Sequence, residues 1–283
     1  NYEGWHETLL DESAVHLNQA QAVNFRILED GRVFEKMSAD VHFTRGLSCT
    51  DCHLATEVMG DGRFHAHEED AVKISCIDCH SEKPPVTQSL VELDPETRMI
   101  ITLRGQISPD RRYVLTDSGQ VAYPNVFVDA TGVTQLIPQQ TGIALNPKPL
   151  TPACGRDNAS HGGLDCRSCH SAWASQCISC HTQAEPRTPG WDHLAGRLIS
   201  GSWTETAGNF LSDPPTLGVV VEEDQDVVTT RVRVTTVIPG MILTLNQGDP
   251  SEKKPNGFHR LYAPASPHTT TSQARDCQSC HAN

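Results

Sequence analysis

The chain has 283 residues, with 35 acidic residues against 22 basic ones and a formal charge of −13, which disfavours nucleic acid or an anionic membrane as partner. Aromatics are only 5% and hydrophobics 37%, lean for the one or two domains that this length suggests. No apolar run approaches the length of a bilayer span, and the longest, such as 239–243, are strand-sized.

In chain order, residues 1–85 form an N-terminal arm followed by a two-motif segment. The arm has its best helical pattern over 7–26 and carries His6 and His16. Asn1 reads as an end left by processing, or as the first residue of a piece of a longer chain. Two Cys-x-x-Cys-His motifs follow, Cys49-Thr50-Asp51-Cys52-His53 and Cys76-Ile77-Asp78-Cys79-His80, with His42, His65 and His67 nearby. Residues 86–150 read as a β-rich insertion. Its strand-like pieces are 99–103, 112–115 and 125–128, separated by turn signals such as Asp117-Ser118-Gly119 and Thr131-Gly132.

Residues 151–198 hold two nearly abutting motifs, Cys166-Arg167-Ser168-Cys169-His170 and Cys177-Ile178-Ser179-Cys180-His181. Only Ser171-Ala172-Trp173-Ala174-Ser175-Gln176 lies between them. Cys154, His161 and His193 belong to the same segment, and Asn158-Ala159-Ser160 is a glycosylation acceptor pattern. Residues 199–262 read as a second β-rich insertion with strands near 217–221, 227–234 and 241–245, where β-branched residues dominate. Residues 263–283 close the chain with His268 and a fifth motif, Cys277-Gln278-Ser279-Cys280-His281.

Five repetitions of this motif specify attachment of five haems c. Two thiols at that spacing reach the two vinyl groups of one porphyrin, and the next imidazole falls beneath the iron. Cys49, Cys52, Cys76, Cys79, Cys166, Cys169, Cys177, Cys180, Cys277 and Cys280 would hold the porphyrins, and His53, His80, His170, His181 and His281 would be the proximal ligands. Zinc ribbons have no use for a histidine after every second cysteine, and a disulfide framework leaves those histidines unexplained. Thioredoxin-like motifs come singly. Cys154, the remaining cysteine, reads as a small buried thiol, with an axial-ligand or disulfide role as the alternative. Five porphyrins would also supply the missing apolar core, which predicts an apoprotein that does not fold. The expected fold is a mostly irregular haem-packed core with short helices after the motifs, plus two small antiparallel β modules, all in one continuous haem-cored unit. Trp173 is expected against a porphyrin face.

Five six-coordinate irons need five distal ligands. Nine histidines lie outside the motifs, against four methionines, two of them in strand-like contexts. Histidine on both axial positions is therefore the favoured ligation. His42, His67, His161, His193 and His268 are the first choices, and His65, His16 and His6 come next. His6 and His16 are far in sequence from any motif. A distal histidine donated in trans, within a head-to-tail homopolymer, stands beside docking of the arm on its own subunit.

The motifs, with Gly46-Leu47-Ser48 before the first, Val58-Met59-Gly60-Asp61-Gly62 after it, Trp173 between two of them and Arg275-Asp276 before the last, resemble multihaem c-type cytochromes of metal-reducing bacteria and archaea. Some members of that class polymerise into extracellular filaments, whereas others are periplasmic shuttles or subunits of surface conduits. The resemblance implies an electron carrier outside the cytoplasmic membrane, extracellular or at the cell surface, with redox proteins or an extracellular acceptor as partners. An oxidoreductase acting on a small nitrogen or sulfur compound is the alternative. Multihaem nitrite reductases, however, use a lysine-ligated catalytic haem, and all five motifs here end in histidine.

Overall fold

A computed structural model describes residues 2–8, 22–65, 71–117, 119, 121–151, 160–178, 180–206, 209–223, 230–246 and 257–281. His16, His67, Cys154, the acceptor pattern at Asn158, the middle of the arm and residues 227–229 lie outside the described residues. For Cys177, Cys180, His181 and His259 the description is of backbone alone.

The chain begins with strands β1 (Trp5–Glu7), β2 (Phe25–Ile27) and β3 (Val33–Lys36), then the short helices Val41–Thr44, Cys49–Cys52, Ala55–Met59 and Cys76–His80. Next come β4 (Thr87–Ser89), the helix Pro95–Leu103, β5 (Arg112–Leu115), β6 (Ala122–Val128) and β7 (Thr134–Leu136). The helix Cys166–His170 leads into β8 (Gln176–Ile178), β9 (Cys180–Asp192), β10 (Arg197–Thr206), β11 (Asn209–Leu211), β12 (Thr216–Glu223), β13 (Thr230–Asn246) and β14 (Gly257–Pro264), and the helix Cys277–His281 follows. These elements form two compact units. One is continuous, His42–Gly163, and the other is split, joining Asn1–Val41 to Leu164–Asn283.

The continuous unit is built on a four-stranded antiparallel sheet in the order β4-β5-β6-β7. Alternation along β5 sends Tyr113 and Leu115 into one apolar cluster with Leu93, Ile101, Ala122 and Phe127. Val114 goes into the other, with Leu47, Leu54, Tyr123, Val126 and Leu136. A register shift between the Tyr113–Phe127 and Leu115–Ala122 pairs lets β6 place both Tyr123 and Val126 in this second cluster. Cys52 and Cys79, the second cysteines of the first two motifs, pack against it.

The expected strand at 99–103 is a correction, because those residues end the helix Pro95–Leu103. Asp94 caps it by accepting from the Thr97 N–H at 2.9 Å, and Pro95 and Glu96 fill the first turn. These start signals outweigh the β-branched Ile100-Ile101 pair, and Thr97 and Ile101, one turn apart, are buried together.

In the split unit, β1, β3 and β2 make a small antiparallel sheet. In the arm expected to be helical over 7–26, the described residues hold one 3-10 turn, Ala22–Asn24, while Glu7 and Phe25–Arg26 lie in strands paired with the segment near residue 35. Long-range pairing overrides the local pattern. The larger sheet runs β10-β9-β13-β12, with β14 also paired to β13. One strand, β13, absorbs two expected ones by changing partners. It pairs with β12 up to Val237, with β14 from Val237 to Leu245, and in parallel with β9 over Leu243–Asn246. Pro239 sits where the β14 register shifts, as a residue with no N–H must. Among the described residues, no helix is long and apolar enough to cross a membrane.

Candidate haem centres

Four of the five motifs are single helical turns: Cys49–Cys52, Cys76–His80, Cys166–His170 and Cys277–His281. The helices expected after the motifs are largely the motifs themselves, with Ala55–Met59 following the first. So short a helix forms only if its orphan N–H groups find acceptors, and two matched solutions occur. In the first two motifs a serine precedes the turn and an aspartate sits inside it. The Asp51 Oδ2 accepts from the Ser48 N–H at 2.8 Å, and the Asp78 Oδ2 from the Ser75 N–H at 2.8 Å. In the third and fifth motifs the order is exchanged. Asp165 precedes the turn and accepts from the Arg167 N–H at 3.0 Å, while Asp276 accepts from the Ser279 N–H at 2.8 Å.

In the continuous unit the aspartates do more than cap. Asp51 is 2% exposed, and its Oδ1 accepts from Asn125 Nδ2 at 3.1 Å and from the Gln139 N–H at 2.9 Å. Asp78 is 5% exposed and accepts from the Tyr123 hydroxyl at 2.5 Å and from the Asp117 N–H at 2.7 Å. One strand, β6, therefore holds both motifs through two side chains, Tyr123 and Asn125. Burial pushes the Asp78 carboxyl up, and the bonds from Tyr123, Ser75 and Asp117 pull it only part of the way back. Burial and then Asp78 push the Tyr123 hydroxyl up as well. Burial, with Cys52 and Asp78 nearby, pushes the Cys79 thiol up to about 12.

The split unit relies on ion pairs and backbone. Asp165 Oδ2 lies 2.8 Å from both Arg167 Nη2 and Arg233 Nη1. Ser168, the residue that replaces the inner aspartate, is 1% exposed and donates to the Val234 carbonyl at 2.9 Å. The segment leading into the fifth motif runs along the third: Thr271 N–H donates to His170 O at 2.7 Å, and Arg275 N–H to Cys169 O at 2.9 Å. The third and fifth motifs are thereby neighbours.

Three of the motif histidines direct Nδ1 at an acceptor. His53 donates to Glu57 Oε2 at 3.0 Å, His80 to the Lys148 carbonyl at 2.7 Å, and His170 to the Thr271 carbonyl at 2.9 Å. A proton fixed on Nδ1 makes Nε2 the metal-binding nitrogen and sets the ring's orientation. Glu57 is itself buried. Burial would raise its carboxyl, but bonds from His53 and the Lys73, Leu54 and Ile74 N–H groups outweigh that and hold it below the usual carboxylate range. The His53 ring thus faces a full negative charge where the other two face carbonyl dipoles.

The distal candidates are spread unevenly. The rings of His42 and His80 have centres 6.2 Å apart and planes at 56°. His6 is 4% exposed, shares a hydrogen bond with Ser175 Oγ at 3.1 Å and meets the Trp173 ring edge-on at 5.7 Å, on the link between the third and fourth motifs. Trp173 is 2% exposed and donates Nε1–H to the Ser38 carbonyl at 2.8 Å, so the arm docks on that link. His65 Nε2 pairs with Asp61 at 3.0 Å. His161 lies in an exposed turn, and His193 in the exposed turn between β9 and β10. His268 adopts a left-handed backbone at φ 53 and donates Nδ1–H to Ser266 O at 2.7 Å. Sequence reasoning missed the anchors Tyr123 and Asn125 and the Glu57 carboxylate. The exchange of serine and aspartate around the motifs was their visible trace.

The residues fit haem: in the second, third and fifth motifs both cysteines and the following histidine share one helical turn, and His53, His80 and His170 leave Nε2 for a metal. No family model and no solved structure matches the chain. Over 63 residues it is 33% identical to the cytochrome c-552 of Maridesulfovibrio salexigens, a stretch covering 21% of this chain and 12% of that protein. The match spans far less than two thirds of the relative's length. It supports a c-type cytochrome, and with it covalently attached haem c, at that coarse level.

Proposed function

We propose that the chain is a pentahaem c-type cytochrome that carries electrons through closely spaced, low-spin haems with histidine on both axial positions. The observation that carries this reading is the common Nδ1 tie on His53, His80 and His170, which presets three motif histidines as Nε2 ligands. Haem supplies the one-electron iron couple when bound. The chain's residues hold the porphyrin edges through the paired cysteines and fix ring orientation through Nδ1. They also grade the electron density on the ligands, since a carboxylate behind His53 makes that imidazole a stronger donor than a carbonyl does. Asp51 and Asp78 fix two motifs rigidly on one sheet, so their haems would change charge with little rearrangement.

The proposed place of work is outside the cytoplasm, at the cell surface, where an acidic protein suits a basic redox partner or a metal-oxide acceptor. Polymerisation into a filament is a further arm of the proposal, supported by the resemblance around the motifs. The tests are intact mass, absorption and EPR spectra, and negative-stain imaging of the purified holoprotein. Five haems, all low-spin, are expected, in filaments if the polymerisation arm is right. A high-spin haem that binds nitrite, hydroxylamine or CO would move the protein to the small-molecule oxidoreductases, and discrete particles would remove the filament.

A further inference from the structure

We infer that His42 and His80 are the two axial ligands of one iron, so that the histidine preceding the first motif serves the haem of the second. This rests on the haem reading above. Two imidazole nitrogens each about 2 Å from a shared metal, each about 1.2 Å from its own ring centre, put the ring centres about 6 Å apart. The His42 and His80 centres are 6.2 Å apart. An edge-on aromatic contact falls in the same distance range, so the spacing counts because other features coincide with it.

His80 belongs to a Cys-x-x-Cys-His turn, and its Nδ1–H is committed to the Lys148 carbonyl, which assigns Nε2 to the iron. His42 is fixed in its turn, with its carbonyl accepting from the Arg45 N–H at 3.1 Å and the Leu47 N–H at 3.0 Å. Leu47 is buried in the apolar cluster that also seats Cys79. Both ligands therefore stand on one support, and neither needs a large movement to share a metal. The nearest motif in sequence would suggest otherwise, because His42 precedes Cys49 by only a short stretch. The assignment ties the second haem's far ligand to the segment that runs directly into the first haem's attachment site. It makes the first two haems adjacent members of the electron path.

The test removes His42 in two backgrounds. In the holoprotein His42→Ala should keep five haems by intact mass and convert one of them to high-spin by EPR and absorption. In a Cys76→Ala/Cys79→Ala background, which carries four haems, the same substitution should create no high-spin haem. A high-spin signal that persists there would assign His42 to another iron and overturn the pairing, and so would a fully low-spin His42→Ala protein. Should His42→Ala fail to fold, His42→Met decides, since a thioether in that place raises the potential of one haem. The rise must vanish when Cys76 and Cys79 are gone, and unchanged potentials would refute the inference. A wild-type protein with fewer than five haems would instead sink the haem reading itself, a distinguishable outcome.

Discussion

The two units hold their motifs with the same two residue types in exchanged positions. In the continuous unit Ser48 and Ser75 stand before the turn, and Asp51 and Asp78 stand within it. In the split unit Asp165 and Asp276 stand before the turn, and Ser168 and Ser279 within it. The inner position is buried at Asp51, Asp78 and Ser168 but exposed at Ser279, and the position before the turn serves as a local cap. A carboxylate inside therefore becomes a buried anchor, which β6 satisfies with Asn125 and Tyr123. A carboxylate before the turn stays a local cap, and Asp165 adds ion pairs to Arg167 and Arg233. The interiors differ in the same sense. The continuous unit has two apolar clusters of its own. Among the described residues the split unit buries Thr235, Thr236, Thr269, Ser168 and Ser171 beside Val33, Trp173, Ala174 and Val237. The first unit is built around its sheet, and under the proposed reading the second would draw its missing apolar interior from the haems its motifs hold.

Loss of haem should expose that difference most. Expressed without attachment machinery, the chain should keep slow hydrogen exchange in β5 and β6 and lose it in β9 to β14, because the apolar clusters among the described residues lie on the former. This narrows the expectation of a wholly unfolded apoprotein to one unit, and uniform protection or uniform loss would erase the contrast. Asp51→Ala comes next. It strips the acceptor from the Ser48 and Gln139 N–H groups and from Asn125 in a buried place, at a cost of about 3 kcal/mol. Asp276→Ala removes an acceptor from an exposed turn and should cost about 1 kcal/mol. Denaturant midpoints of the two holoproteins measure the gap, and equal losses would mean that the inner aspartate is no anchor.

How much of this was legible beforehand follows from the range of the forces involved. The motifs, the histidines that close them and the strands at Arg112–Leu115, Ala122–Val128 and Thr216–Glu223 show in local spacing and β-branched content. The helix Pro95–Leu103 is equally legible, since Asp94-Pro95-Glu96 is a start signal, but the apolar, β-branched run 99–103 carries a competing strand signal. The pairing of β1 with β3 and the single long β13 are long-range register choices, which no local window contains. Likewise, Asn125 looks like an ordinary strand residue until a register shift turns it toward Asp51.

Smaller effects sharpen the electrostatic side of the comparison. Burial pushes the Asp165 carboxyl up, but Arg167 and then Arg233 more than reverse this, leaving it below the usual carboxylate range. A folded-state pKa below the unfolded one gives stability that is full above the unfolded value, about 3.9, and lost as pH falls through the folded one. Asp165→Asn should therefore flatten the acid limb of the holoprotein's stability curve, measured by denaturant midpoint against pH. An unchanged limb would show that the ion pairs are not felt. In the continuous unit, Glu57→Gln replaces the charge behind His53 with a neutral amide. One haem potential should rise by on the order of 50 mV, as expected from losing part of a charge-assisted hydrogen bond. A redox titration in which all potentials stay put would remove Glu57 as a tuning group.

The fourth motif tests the capping argument from its negative side. Gln176 precedes it and Ser179 sits within it, so it alone among the five has a carboxylate at neither position. Its described backbone is also extended, in β8 and the start of β9, with Gln176, Cys177 and Ile178 paired to β11. Extended chain covers about 10 Å between residues three apart, against about 5 Å in a helical turn. Cys177 and Ile178 lie in β8 and Cys180 opens β9, so the extended backbone at Cys177 must turn in before one porphyrin can take both cysteines. Gln176→Asp supplies the missing cap and should favour the turn by about 0.5–1 kcal/mol, less what is lost with the bond from Gln176 Nε2 to the Asp213 carbonyl at 3.3 Å. The expected results are slower hydrogen exchange over 176–181 and a larger fraction of chains carrying all five haems. If neither moves, the carboxylate is not what separates this motif from the other four, and the strand pairing with β11 must hold it extended.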